Sequence, residues 1–457
     1  MKNKVNMEKL VNHCKNMGII FAGSEIYGGL ANSWDYGPVG IELKNNIKQA
    51  WWKKFVQESE HTMGVDASIL MNPRVWEASG HVASFTDPLM DCKECKTRHR
   101  ADKLIENFSK GEVNADALTN EQMEEYVALN KVPCPVCGNS NFTPIRQFNL
   151  MFATNRGVTK DNTSTIYLRP ETAQGEFVNF LNVSRSLRMK LPFGIGQIGK
   201  AFRNEITPGN FTFRTIEFEQ MEHQLFCKEG QDTDFYNYYK NYSMEFLTGL
   251  GLPKEKLRFK DHEKLAHYAK SACDVEYEFS FGWGEINGIH NRTNYDLSRH
   301  QEYSGKSMEY TDPITNEKFV PFIVEASYGL DRIILAILDN AYQIETLEDG
   351  TEREVMKIDA KIAPFKVAIM PLIKKLHSDK AHELYRVLSK HFRTVYDETG
   401  SIGKRYRRQD AIGTPFCLCV DDETLNNNTI TVRFRDSMEQ ETVSLDNLIN
   451  FINEKLK

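Results

Sequence analysis

The spacing of apolar residues changes character near residue 363. Beyond it, Phe365 to Met370 (FKVAIM) reads as a buried strand, His377 to Phe392 as a helix, Arg393 to Asp397 as a strand and Ser401 to Ile412 as a second helix. TPFCLCV (414–420) and TITVRFR (429–435) add strands, the latter alternating Ile430, Val432 and Phe434 against polar neighbours, and an amphipathic stretch from Leu445 to Leu456 closes the chain. Strands alternating with helices predict a small α/β domain over 364–457 with mostly parallel pairing. No low-complexity linker separates it from 1–363, and no internal repeat is visible. Upstream, residues 322–338 (FIVEASYGLDRIILAIL) run as an apolar strand into a glycine turn that opens an apolar helix. Residues 200–222 (KAFRNEITPGNFTFRTIEFEQME) read as two strands joined by a polar loop with turn chemistry at Pro208, Gly209 and Asn210.

These two segments carry charge in positions that suit a nucleotide. Arg203 offers a planar fork of donors for a phosphate, a geometry lysine cannot match. Glu205 can accept from an exocyclic amine, and Phe213 supplies a flat face for a base. Arg332, in the first turn of its helix, can reach a terminal phosphate. Gly329 lets the backbone approach a ligand, and Glu325 and Ser327, two apart on a strand, share a face. Taken singly, each segment has a plain alternative: a solvated charged hairpin, and a buried strand and helix with a surface arginine.

Composition narrows the class without naming it. A chain of 457 residues is long enough for two or three domains with substantial cores, and its net charge of −6 argues against a protein wrapped in nucleic acid, so that an RNA partner would be met by local basic patches. No apolar run reaches the roughly 18 residues of a membrane span, and the start MKNKVNMEKL lacks the apolar core of a signal peptide, so a cytoplasmic protein is expected. Of nine cysteines, four form CxxC pairs, Cys92 with Cys95 and Cys134 with Cys137, spaced for one tetrahedral structural zinc. A helix-like, charged stretch from Ala115 to Leu129 accounts for part of the 38 residues between the pairs. A redox role is the competing reading, disfavoured because neither pair lies between a strand and a helix in a thioredoxin-like pattern. Cys14, Cys227, Cys273, Cys417 and Cys419 read as small buried residues.

The two charged segments resemble motifs 2 and 3 of the class II aminoacyl-tRNA synthetases, and the surroundings resemble the homodimeric glycyl-tRNA synthetase family nearly end to end. Gly23 to Trp52 is similar to that family's opening segment. Gly64 to His81 is similar to motif 1, with Pro73 in the place of the dimer-interface proline. RPETAQG (Arg169 to Gly175), FEQMEH (Phe218 to His223), GWGEINGIHNRTNYDL (Gly282 to Leu297) and EASYGLDR (Glu325 to Arg332) follow in the family's order. The resemblance implies an α+β fold: an antiparallel-sheet catalytic domain over 1–363 with a zinc-binding insertion at 92–137 and a further insertion at 226–273, then an anticodon-binding domain. It also implies activation of glycine with ATP and Mg2+, transfer to tRNA(Gly), and a homodimer.

Residue by residue, the resemblance implies that Arg203 holds the α-phosphate and Arg332 the γ-phosphate, with Glu285 on the metal or the nucleotide. Glu205 and Phe213, with Arg214 on the opposite face of the base, are expected to fix the adenine. Asn204, Thr215, Ile216, Glu217, Phe218, Ile286, Gly329, Leu330 and Asp331 complete the implied ATP site. Glycine has no side chain, so its selection requires acidic groups for the ammonium and a pocket too small for a methyl. Glu171, Glu222 and Glu325 are the acidic candidates. Arg100, Phe218, Glu219, Gln220, Met221, Ala326, Ser327, Tyr328 and Gly329 are the implied surroundings. In the C-terminal part, Lys404, Arg405, Arg407 and Arg408 with Tyr406 among them form a cationic, aromatic run suited to splayed RNA bases. Its plain alternative is a solvated helix face balanced by Asp397, Glu398 and Asp410. A prolyl or threonyl enzyme, or a noncatalytic synthetase-like nucleic-acid-binding subunit, remains the alternative to the glycyl reading.

Overall fold

The protein is described by a computed structural model that covers residues 6–157, 164–206, 209–263, 265 and 269–456. Pro208 of the expected turn lies outside these residues. The centre is a seven-stranded sheet: β1 (Thr62–Gly64), β2 (Phe193–Phe202), β3 (Glu217–Cys227), β4 (Leu257–Asp261), β5 (Ser271–Phe279), β6 (Gly282–Thr293) and β7 (Phe322–Gly329), in the order β4-β5-β6-β7-β3-β2-β1. Every pairing is antiparallel except that of β1 with β2. One face is dry. Helices α1 (Gly40–Trp52), α2 (Asp232–Gly249) and α3 (Leu330–Ala341) share a core there with Met221, Leu225, Val324, Ala326 and Tyr328. Helix α2 holds the tyrosine-rich run at 236–242: Tyr236 and Tyr239 are buried, so much of that run packs a helix. The other face is filled at one end by helices Ala173–Val178, Phe180–Leu187 and Tyr295–Ser304, around Phe177, Phe180, Phe193 and Phe226. The remainder of that face stays open.

The cysteine pairs sit in a module wider than 92–137. Strands Arg98–Arg100, Thr86–Asp91 and Arg146–Asn149 form its sheet, and helices Ala101–Phe108 and Asn120–Leu129 close a small core of Met90, Leu104, Ile105, Met123 and Val127.

In the C-terminal part, β8 (Val367–Pro371), α4 (Lys374–Leu388), β9 (Thr394–Tyr396), α5 (Ile402–Ile412), β10 (Phe416–Val420), β11 (Thr429–Phe434), β12 (Gln440–Ser444) and α6 (Leu448–Lys455) build a five-stranded sheet, order β9-β8-β10-β11-β12. Strand β8 pairs in parallel with β9 and β10, but β10, β11 and β12 are antiparallel. The expected mostly parallel pairing therefore holds for only half of the sheet. The eight residues between β10 and β11 are too few for a parallel crossover, which needs about a dozen or more. A buried ionic joint ties this part to the hairpin of Tyr342–Thr346 and Glu352–Met356. Asp410, fully buried on α5, accepts from Arg353 at 3.1 Å and from both terminal nitrogens of Arg433 at 2.9 and 3.0 Å. Beside it His13, on the helix Met7–Asn16, hydrogen-bonds the Ala411 carbonyl at 2.7 Å.

Candidate active site and metal centre

The open face of the sheet carries a cleft floored by alternate residues of three strands. Phe218, Gln220 and Glu222 come from β3, Glu325, Ser327 and Gly329 from β7, and Gly288, His290 and Arg292 from β6. In register, Ser327 lies between Glu222 and Gly288, and Glu325 lies opposite His290. The pleat that aims these residues into the cleft aims Met221, Ala326 and Tyr328 into the core behind, where all three are fully buried. Those three, expected around glycine, do not present side chains to it.

One end of the cleft is acidic. The Glu222 carboxyl accepts from Thr172 Oγ1 at 2.5 Å, Ser327 Oγ at 2.7 Å and Gln220 Nε2 at 3.0 Å. Burial, with Glu325 and Glu171 close by, pushes it up to about 8. Glu325 is the opposite case: despite burial, Arg292 and His290 hold it down at about 2. It accepts from His290 Nδ1 at 2.8 Å, Gln224 at 2.7 Å and Arg292 at 3.2 and 3.3 Å. Glu171 faces His81 at 3.5 Å and accepts from Gln174 at 2.8 Å; against the effect of burial, His81 and Arg292 hold it well below the usual carboxylate range. Behind them Glu176 is fully buried with neither carboxyl oxygen bonded, and burial, with Glu222 and Glu325 nearby, pushes it well above the carboxylate range.

The other end is cationic and aromatic. Arg203 donates through Nε to the Pro170 carbonyl at 3.0 Å and sits 5.3 Å from the rings of Phe85 and Phe218; among the described residues no carboxylate pairs with it. Arg332 lies over Phe213, 4.4 Å from the ring centre, and donates to the Phe213 carbonyl and to Glu285, each at 3.0 Å. Arg214, expected opposite Phe213, instead turns toward Glu205 at 3.9 Å, so the cation that faces the ring is Arg332. Phe213 fits because residue 284 is glycine: a Cβ there would stand 2.7 Å from the ring. Glu285 is about half exposed at the cleft mouth.

Other expected residues have different work. Asp331 accepts from the Glu219 N–H at 2.7 Å, the Tyr36 hydroxyl at 2.5 Å and Lys44 at 3.2 Å, while Glu219 pairs with Lys44 and Lys48 at 2.9 and 2.6 Å. The pair locks α3 and β3 to α1. Ile286 and Leu330 are core residues. Asn204 donates its N–H to Leu150, Ile216 its N–H to Asn32 and Thr215 its hydroxyl to the Glu217 carbonyl; the Glu217 carboxylate pairs with Lys200 at the surface. Arg100 is held by Asp102 at 2.5 Å and Asp87 at 3.1 Å outside the cleft lining. Arg292 and His290 went unassigned from the sequence although both lie within the quoted run 282–297. The usable signal was strand alternation counted from Gly288.

The four cysteine ligand atoms lie within 4.8 Å of one another, with Cys92 and Cys137, and Cys95 and Cys134, at 3.6 Å. Each pair forms a tight turn closed by a left-handed residue, Lys96 and Gly138. A cluster of four thiolates so spaced could hold one tetrahedral metal ion. The other five cysteines are buried.

On α5, Arg405 departs from the expected cationic surface. It is buried, and its guanidinium donates to the Gly400 and Pro371 carbonyls. Arg408 is bidentate with Asp397 through Nε and Nη2, while Lys404 is exposed and the Arg407 guanidinium donates to the Glu352 carbonyl at 3.3 Å. The balancing role expected of Asp410 also fails at the surface, because that carboxylate is buried.

Residues 152–341 match the tRNA synthetase class II core domain (G, H, P, S and T), and residues 366–455 match the anticodon binding domain. The chain is 57% identical over 463 residues to the glycine–tRNA ligase of Clostridium acetobutylicum, and 57% over 462 residues to that of Caldanaerobacter subterraneus subsp. tengcongensis, covering 100% of each partner in both comparisons. Identity to the glycine–tRNA ligase of Geobacillus kaustophilus is 57% over 457 residues, with 99% of both chains covered. Among the described residues, no helix is long and apolar enough to cross a membrane.

Proposed function

Because the chain belongs to the glycine–tRNA ligase family of class II synthetases, and so joins glycine to tRNA using ATP, we propose that the two ends of its cleft divide the first step between them. Glu171 and Glu222, with Ser327, receive the glycine ammonium at the acidic end, and Glu325 holds Arg292 and His290 in place beside it. Adenine takes the face of Phe213 that Arg332 now covers at 4.4 Å, the guanidinium moving off the ring to lie over the other face of the base, with Glu205 nearby. Arg203 then meets the α-phosphate as the glycine carboxylate attacks it. Little covalent chemistry is asked of the protein; alignment and charge neutralisation supply the rate.

The observation that carries this reading is Arg203, a guanidinium in the same cleft as the acidic pocket and free of any carboxylate partner among the described residues. Glu285, half exposed beside Arg332, suits Mg2+, which takes one or two protein carboxylates and completes its shell with water and phosphate oxygens. The ion would neutralise phosphate charge as pyrophosphate departs. The thiolate cluster suits structural Zn2+, which would fasten the module that carries Arg100. For tRNA(Gly), the exposed Lys404 with Arg407 and Arg408 is the proposed cationic surface, without Arg405. A homodimer is proposed through the segment around Pro73, where Leu70 is 52% exposed, and the cytoplasm is the proposed location, where the substrates are.

The test is pyrophosphate exchange into ATP with each of the twenty amino acids, followed by charging of total tRNA. Glycine alone should support both. Arg203→Ala should abolish exchange while leaving the fold intact, and near-normal exchange by that variant would remove Arg203 from the phosphate site.

A further inference from the structure

The second step needs a group to take the proton of the terminal ribose hydroxyl of tRNA, and we propose that His290, oriented by Glu325, is that general base. The inference rests on the ligase reading above. Strand β6 delivers His290 to the cleft beside the acidic pocket, 19% exposed. Its Nδ1 lies 2.8 Å from Glu325 Oε1, on the strand opposite. A carboxylate at that distance makes Nδ1 the protonated nitrogen and leaves the Nε2 lone pair open, as a positioned base requires. Among the described residues no hydrogen bond engages Nε2. The ring fits because residue 288 is glycine, where a Cβ would stand 2.8 Å from Cε1.

Glu325 suits this role better than that of an ammonium ligand. His290, Gln224 and Arg292 already donate to its two oxygens. Charged and titratable groups also face the imidazole from the surrounding elements. Asp274 of β5 is near it, paired with His262 at 2.9 Å, and the His262 ring stands 6.1 Å away, edge to face. Glu285 and Arg292 lie along β6 itself. The carboxylates on either side stabilise the imidazolium that forms.

In the step, the ribose O–H bond breaks and its proton passes to Nε2. The ribose oxygen bonds to the carbonyl carbon of glycyl-adenylate, and the bond from that carbon to the phosphate oxygen breaks, releasing AMP. The imidazolium then returns its proton to solvent. No electrons are exchanged with another reagent.

The experiment uses His290→Asn, whose side-chain N–H stands where Nδ1–H stands and still bonds Glu325. Glycine-dependent pyrophosphate exchange should persist. Single-turnover transfer from preformed glycyl-adenylate should slow by about 10²–10⁴-fold, the usual worth of a positioned base. Transfer at the parent rate, or exchange and transfer falling by one factor, would overturn the proposal, the second outcome making His290 a support for Glu325 only. Should the variant fail to fold, His290→Gln is measured in its place, and transfer at the parent rate by that variant overturns the proposal equally. Absence of glycine-dependent exchange in the unaltered protein would instead defeat the parent reading.

Discussion

Two glutamates, Glu222 in the proposed glycine site and Glu176 behind it, are pushed toward the protonated form by their surroundings, and each has a measurable signature. Glu222 is pushed up to about 8, and in the proposed role it gives up its proton when the glycine ammonium arrives. The KM for glycine in exchange should therefore fall as pH rises, by about tenfold per unit until it levels near pH 8. A KM flat across that window would mean that the ammonium is held elsewhere. Among the described residues, neither carboxyl oxygen of Glu176 has a hydrogen-bond partner. Its folded form prefers the proton, so its contribution to stability is complete below the unfolded carboxylate range and is lost as pH rises. Glu176→Gln removes that loss. Its melting temperature should exceed the parent's by a margin that widens from pH 6 toward pH 9, read by thermal scanning, and a constant margin would contradict the assignment.

Strands and helices were legible where one period governs them. The run 322–338 declares a strand, a glycine and a helix, and that is the order of β7 and α3. Alternation from Glu325 to Ser327 gives their common face directly. On β6 the count breaks. Glu285 pairs with Glu276 and Asn287 with Val275, so Ile286 is an extra residue in the ladder. Counting by twos from Glu285 selects Asn287, Ile289 and Asn291, all buried, and misses Gly288, His290 and Arg292. Arg405 was illegible for another reason. A cation in a basic helical run looks solvated, and only the folded chain supplies the Gly400 and Pro371 carbonyls that bury it. The Phe213 face proposed for adenine depends on Gly284. Gly284→Ala would place a methyl 2.7 Å from the Phe213 ring. The ring must shift, so the KM for ATP in exchange should rise clearly while glycine-site behaviour is retained; an unchanged KM would take Phe213 off the base.

Across the whole chain, the catalytic sheet and the C-terminal sheet keep separate cores and meet at a joint where Ile412 packs on the first core beside buried ion pairs. Arg353 is fully buried there, and it also donates to the Arg435 carbonyl at 3.2 Å. Removing one partner of such a pair leaves a buried charge alone, at a cost of about 3–5 kcal/mol. Asp410→Leu strands the buried Arg433, whose guanidinium pairs with that carboxylate, and should therefore lower the melting temperature and cut tRNA charging while glycine-dependent exchange, which needs no C-terminal contact, survives. Loss of both steps together would mean that the joint supports the catalytic sheet itself. Greasy seams tolerate sliding because dispersion has little direction, but Asp410 accepts bonds whose angles fail after a small rotation. The molecule is therefore a calliper with its jaws pinned. A tRNA that spans both parts, as proposed, meets jaws already set in gauge.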